Sequence, residues 1–145
     1  MKRSKVRNEE FDFVVVGGGL SGMCAAIAAA RHGVKTALVH DRPVLGGNAS
    51  SEIRMHVCGA DENGHKPYLA EGGILHEMLL KNKSRNPFFS YAIWDATLYE
   101  TIKAEKNITL FFNTAMFDCE VENCAISSIK CFQSTTEYII NISGK

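Results

Sequence analysis

Gly17, Gly19 and Gly22, in the run Val16-Gly17-Gly18-Gly19-Leu20-Ser21-Gly22, have the types and spacing that hold a pyrophosphate. The chemistry they offer is binding rather than bond-making. Without a Cβ, Gly17 lets the chain turn sharply. At Gly19 a side chain would stand where phosphate oxygens must approach the backbone, and at Gly22 it would hold the following helix off the preceding strand. The N–H groups of the first helical turn and the positive end of the helix dipole then face the phosphates, so the turn needs no lysine. Gly17, Gly18, Gly19, Leu20, Ser21 and Gly22 are therefore the candidate phosphate-side residues.

Such a turn works only between a strand and a helix. Phe13 to Val16 is an apolar β-type run, and Ser21 to His32 is an alanine-rich helix that small residues let lie close on a sheet. Arg31 and His32 favour the negative end of that helix, Gly33 suits a left-handed cap, and Cys24 reads as one more small apolar residue. Thr36 to Val39 follows as a second, parallel strand. The order strand, turn, helix, strand is half of a dinucleotide-binding fold. Its ribose position, counted from Gly17, falls on His40, with Asp41 beside it. A ring nitrogen of His40 or the Asp41 carboxylate could take the hydroxyls; alternatively His40 ends a strand and Asp41 opens a turn into Pro43. Asp41 disfavours a phosphorylated ribose and Arg42 favours one.

The segment from Gly17 through Val39, followed by Val44-Leu45-Gly46-Gly47-Asn48-Ala49-Ser50-Ser51-Glu52-Ile53-Arg54, resembles the N-terminal part of the FAD-dependent oxidoreductases. Within them it is most similar to the glutathione-reductase-type group and to flavoproteins like the heterodisulfide reductase A-subunit. The resemblance implies FAD as cofactor, a Gly46-Gly47 doublet passing close to the pyrophosphate, and a loop behind it running toward the flavin ring. Asn48, Ser50, Ser51 and Arg54 become cofactor-side candidates, since hydroxyl, amide and guanidinium groups bond phosphate or ribitol oxygens. His56 and Cys58, further along, are weak catalytic candidates. The family normally has Glu where this chain has His40.

Farther on, Ile74 to Leu80 is a short helix candidate after Gly72-Gly73, and the Gly-, Asn- and Lys-rich stretch before it suggests a connection laid over the cofactor. Trp94 to Glu105 reads as a helix with Leu98 and Ile102 inward and Asp95 as N-cap. Ile108 to Phe112 is a third parallel strand. Ala115 to Val121, Ala125 to Phe132 and Glu137 to Ile142 are joined by turn-sized links, which predicts an antiparallel meander. A meander at this point fits an FAD-type crossover and not an NAD-type one. The expected fold is α/β: an FAD/NAD(P)-binding Rossmann-like fold with a parallel sheet and an antiparallel β-meander crossover. The resemblance further implies a return strand, a substrate domain and a C-terminal FAD segment, so residues 11 to 145 read as the N-terminal part of an FAD-binding domain, truncated before the return strand.

Composition narrows the rest. A 145-residue chain that is 46% hydrophobic with balanced charge suits one globular domain and excludes a charge-driven nucleic-acid partner. Residues 1 to 10 read as a flexible basic leader, without the apolar stretch of a signal peptide. No apolar run is long enough to span a bilayer. The five cysteines form no CxxC pair, which suits reduced thiols in a cytoplasmic protein. Some relatives carry 4Fe-4S clusters, but the spacing of Cys119, Cys124 and Cys131 matches no cluster run, so no metal is expected. The leading expectation is an FAD-dependent oxidoreductase of which this chain supplies the ADP-pyrophosphate-binding half, with hydride transfer at flavin N5 and an unread small-molecule substrate. The alternatives are a non-catalytic nucleotide-binding fragment that works with a complementing chain or downstream domain, and an NAD-binding Rossmann protein.

Overall fold

The computed structural model describes residues 5–59, 66 and 71–145. Three layers stack upon one another. The middle layer is a parallel sheet in the order β2 (Phe13–Val16), β3 (Thr36–Val39), β4 (Ile108–Phe111). All four residues of β3 are buried, because both faces of the central strand are covered. Helices α1 (Leu20–Arg31), α2 (Gly73–Arg85) and α3 (Tyr91–Ala104) cover one face. They enclose Val15, Met23, Ile27, Leu38, Leu45, Met78, Leu98 and Ile102. Each fully buried Leu or Ile of this kind contributes about 1.5–3 kcal/mol.

The third layer lies on the opposite face. It is a four-stranded sheet in the order β1 (Lys5–Glu10), β7 (Tyr138–Ser143), β6 (Ala125–Gln133), β5 (Thr114–Glu122). Between the sheets sit Phe11, Ala37, Val39, Phe111, Ile129, Cys131, Ile140 and Ile142, with the Phe11 and Phe111 rings edge-on at 6.0 Å. The expected meander is present: β5 with β6 and β6 with β7 are antiparallel. Its first turn places Asn123 and Cys124 at φ 50° and 63°, the pair of positive values a tight hairpin asks for.

The structure corrects several readings of the sequence. Lys5–Glu10, within the expected flexible leader, is a strand running parallel to β7, register Lys5 to Tyr138 through Glu10 to Ser143. It has no apolar alternation to reveal it. Backbone pairing holds it, with Asn141 Nδ2 donating to Asn8 Oδ1 at 2.9 Å. Helix α3 starts at Tyr91 behind Ser90 rather than at Trp94, so Asp95 is inside the helix and not its N-cap. Helix α2 is longer than the Ile74 to Leu80 core that its periodicity revealed. The connection read as lying over the cofactor falls, across 60–65 and 67–70, outside the described residues.

One ion-pair hub ties the helical layer together. Arg31, in the last turn of α1, donates through both terminal nitrogens to Glu77 of α2 at 2.9 and 2.7 Å. Its Nε donates to Glu105, just past α3, at 2.8 Å. These bonds hold the Glu77 carboxyl below its ordinary range, chiefly through the hydrogen bonds from Arg31. All three groups are partly solvated, so the hub fixes geometry more than it adds stability.

The thiols divide by layer. Cys131 is fully buried between the sheets, and burial pushes its thiol up to about 11; Cys24 is raised for the same reason. Cys58 and Cys124 are exposed. Raised pKa values leave little thiolate at neutral pH, so a thiol reagent at pH 7 should modify Cys58 and Cys124 in the native protein and reach Cys131 only in denaturant. Native-state labelling of Cys131, read by peptide mass, would contradict this packing.

Candidate functional site

The site forms where the C-terminal ends of β2 and β3 meet the start of α1. Gly17 leaves β2 at φ 113°, its N–H donating to Val39 O at 2.8 Å, and this kink sends the chain into the helix. A Cβ at Gly22 would collide with the Gly17 carbonyl, so close helix-to-strand packing accounts for that glycine. Gly19 is different. Its backbone (φ −68°, ψ 172°) suits any residue, and a Cβ built on it meets nothing within 4 Å. Neither sterics nor strain within the protein explains a glycine here.

Behind Gly19 the helix opens with no side-chain cap and no acidic residue in its first turn. The first N–H groups of a helix have no intrahelical partner, so Leu20 and Ser21 present donors and positive dipole to the space beside Gly19. Ser21 is exposed and Leu20 half-buried.

The second glycine pair closes on this turn. Gly46 N donates to Gly18 O at 2.8 Å, and Gly19 and Gly46 form an isolated parallel bridge. Gly46 adopts φ 108°, and a Cβ there would sit 2.7 Å from Leu98 Cδ1 of α3. At Gly47 it would come within 3.2 Å of Gly19 Cα. The doublet therefore lets two stretches of backbone touch.

The ribose position comes out differently. His40 is 5% exposed and both ring nitrogens are committed: Gly18 N donates to Nδ1 at 3.0 Å, and Nε2 donates to Val44 O at 2.9 Å. A ribose contact through the His40 ring is thus ruled out in this arrangement, and Gly18 N–H is spent on the ring rather than on phosphate. Asp41 stays exposed, with Oδ1 3.6 Å from His40 Nδ1, and Arg42 faces Glu52 at 3.4 Å.

Residues 48 to 54 wrap into a turn begun by the short 3-10 segment Gly47–Ala49. Ser50 is wholly buried inside it, its hydroxyl accepting Glu52 N–H at 3.3 Å, and so offers no surface to a ligand. Ser51 N donates to Asp95 Oδ1 at 3.0 Å, the actual role of that aspartate. Asn48 and Arg54 are exposed. Arg54 sits at φ 64°, held by its N–H to Ser50 O at 2.8 Å and by Tyr91 OH donating to its carbonyl at 2.5 Å. Sequence reasoning missed Tyr91 and Leu98 as supports of this region. The inward face read for α3 already contained Leu98, whereas no sequence signal ties Tyr91 to Arg54.

Beyond the turn, the loop walls a cavity of about 620 Å³ together with α2 and α3, lined by Ala49, Met55, His56, Leu79, Tyr91 and Trp94 among others. This is the size and apolar character of a small-molecule site. His56 Nε2 lies 3.5 Å from Cys58 Sγ, so the two weak catalytic candidates are brought together, both exposed. No group of three or more metal-ligating side chains occurs among the described residues, and no helix among them is long and apolar enough to cross a membrane.

The chain is similar to several known proteins. The tRNA uridine 5-carboxymethylaminomethyl modification enzyme MnmG of Prochlorococcus marinus is 36% identical over 104 residues, covering 65% of this chain and 15% of that protein. The aerobic glycerol-3-phosphate dehydrogenase of Staphylococcus aureus is 34% identical over 53 residues, 37% of this chain and 10% of the relative. This chain thus spans a small part of the length of both. Among solved structures, the myxobacterial chondrochloren halogenase CndH, described as a variant of FAD-dependent halogenases, superposes with a TM-score of 0.60 at 15% identity. The overlap covers 94% of this chain and 36% of that one, and shows a shared fold. The sequence profile described as FAD dependent oxidoreductase matches residues 12–145, so the chain belongs to that family.

Proposed function

We propose that this chain supplies the ADP-pyrophosphate-binding half of the FAD site in an FAD-dependent oxidoreductase. The observation that carries the reading is the unfilled position at Gly19. The protein leaves space there that a side chain could occupy without strain, and it aims an uncapped helix N-terminus into that space. The fit to a pyrophosphate is good: no carboxylate lies in the first helical turn, and the Gly46-Gly47 backbone closes the far side.

The protein's own part is binding and orientation. Leu20 and Ser21 N–H groups hold the phosphates, and the exposed Asp41 carboxylate takes the ribose hydroxyls in place of His40. Asn48, Ser51 and Arg54 lie in the chain between the doublet and the cavity, where His56 is placed to hold or move a proton beside a bound molecule. When bound, FAD would supply hydride transfer at flavin N5, a chemistry that belongs to the cofactor. The five free thiols fit a reducing, cytoplasmic setting.

A second element of the reading comes from β2. Among the described residues it pairs with β3 alone, and Phe13 and Val16 are 42% and 50% exposed along an open strand edge. A further strand, from a downstream segment or a complementing chain, would pair there in the working enzyme. Without it the chain would serve as a nucleotide-binding part and not as a catalyst.

Three measurements test this. In calorimetric titration the protein should bind FAD more tightly than NAD or FMN, FMN lacking the ADP moiety that the glycine turn grips; tighter FMN or NAD binding would sink the assignment. Gly19→Val should lower FAD affinity by about 100-fold or more while shifting the melting temperature by only about 5 °C or less, because the backbone suits valine, a Cβ meets nothing within 4 Å, and the fold loses only a favoured N-cap glycine. Equal affinity in the variant would show that the space beside Gly19 is not where phosphate sits. Finally, the chain alone should release FAD on gel filtration and self-associate, and adding the downstream segment of a homologous enzyme should restore retention and monodispersity together. A monomer that stays yellow and reduces a substrate unaided would refute the open-edge argument.

A further inference from the structure

Among the described residues, the buried imidazole of His40 is used in a way that neither the glycine motif nor the family reading assigns. His40 lies at the end of β3 with its backbone fixed on both sides: its N–H donates to Phe111 O at 2.9 Å, and its carbonyl accepts Thr114 N–H at 2.9 Å. Its ring spans two loops. Nδ1 accepts from Gly18 in the phosphate turn, and Nε2 bonds the carbonyl of Val44 in the loop that leads to Gly46. A backbone N–H can only donate and a carbonyl can only accept, so the ring must carry its proton on Nε2 alone. The ring also lies against Gly18: a Cβ there would stand 2.7 Å from His40 Cγ and 2.8 Å from Leu45 Cδ2.

Building on the nucleotide-site reading above, we infer that His40 is a positioning residue for pyrophosphate binding, its neutral ring clamping the phosphate turn to the Gly46 loop. A second proton on the ring would sit on Nδ1 and face the Gly18 N–H, donor against donor, so the clamp opens. The alternative partner is already in place: Asp41 Oδ1, 3.6 Å from Nδ1, would accept that proton's bond. Asp41 is the charged group facing the ring. Arg42 is turned to Glu52, and the elements packed around His40 contribute Gly18, Leu45, Phe111 and Thr114, none of them ionisable. Protonation would also draw Asp41 toward the ring and away from a ribose.

The test uses the full chain, with ADP as the probe because it carries the adenosine and pyrophosphate without the flavin. Nitrogen-15 NMR of the ligand-free protein should show His40 as the Nε2–H tautomer near pH 8. His40→Gln can accept from Gly18 through its amide oxygen and donate to Val44 through its amide nitrogen; it should bind ADP within about threefold of wild type at pH 8. His40→Leu, checked for fold by circular dichroism, should bind more than about tenfold more weakly at pH 8. A folded His40→Leu that binds ADP as wild type does overturns the clamp. An Nδ1–H tautomer overturns it whatever the ligand data show. An Nε2–H ring together with no ADP binding at any pH overturns the nucleotide-site reading itself, and with it the positioning role.

Discussion

Two stretches of backbone touching at Gly18-Gly19 and Gly46-Gly47 are the constraint on which the rest of this structure rests. A Cβ at Gly47 would come within 3.2 Å of Gly19 Cα, and the contact is joined by a backbone hydrogen bond, Gly46 N–H on Gly18 O at 2.8 Å. Both stretches are irregular, so neither has a ladder of its own to hold its position. Each is held from beneath: the phosphate turn by β2 and α1, the doublet by Leu98 of α3, against which Gly46 is packed without room for a Cβ. The placement of α3, and through Arg31 that of α1 and α2, is therefore part of the site's architecture.

The outer sheet makes its contribution at one remove. β3 must be buried on both faces for its end to be a rigid platform, and the meander covers the face that the helices leave open. Ile129, Cys131, Ile140 and Ile142 supply that cover by strand alternation. Thr114, at the start of β5, reaches back to the His40 carbonyl, so the meander is tied to the end of β3 by a hydrogen bond as well as by apolar packing.

Much of this was legible in the sequence because its signals are local and redundant. The strand of Phe13 to Val16, the glycine spacing and the alanine-rich helix all name one unit, and each agrees with the others. The meander was legible through its turns: Asn123-Cys124 joins two apolar runs at hairpin distance. What escaped had no local signature. Lys5–Glu10 is polar and looks like a leader; it is a strand only because β7, far along the chain, offers an edge. Asp95 looks like an N-cap because caps are common near helix starts, but the carboxylate reaches a loop backbone at Ser51 that sequence spacing cannot foresee. Position along the chain offers His40 and Ser50 as candidates to face a ligand, whereas burial decides whether a polar group faces a ligand or the protein.

That last distinction separates the glycines by purpose. Gly18 is small because His40 and Leu45 press on it, Gly22 because the Gly17 carbonyl does, and Gly46 because Leu98 does. Each would be required of a protein with this fold whether or not it bound anything. Gly19 alone of these has an unstrained backbone and empty space where its side chain would be. Gly19 is also the N-cap of α1, where glycine is itself favoured over a residue such as valine, and the position opens directly onto a helix start with no side-chain cap. The functional claim for the motif therefore rests on Gly19 far more than on the count of its glycines.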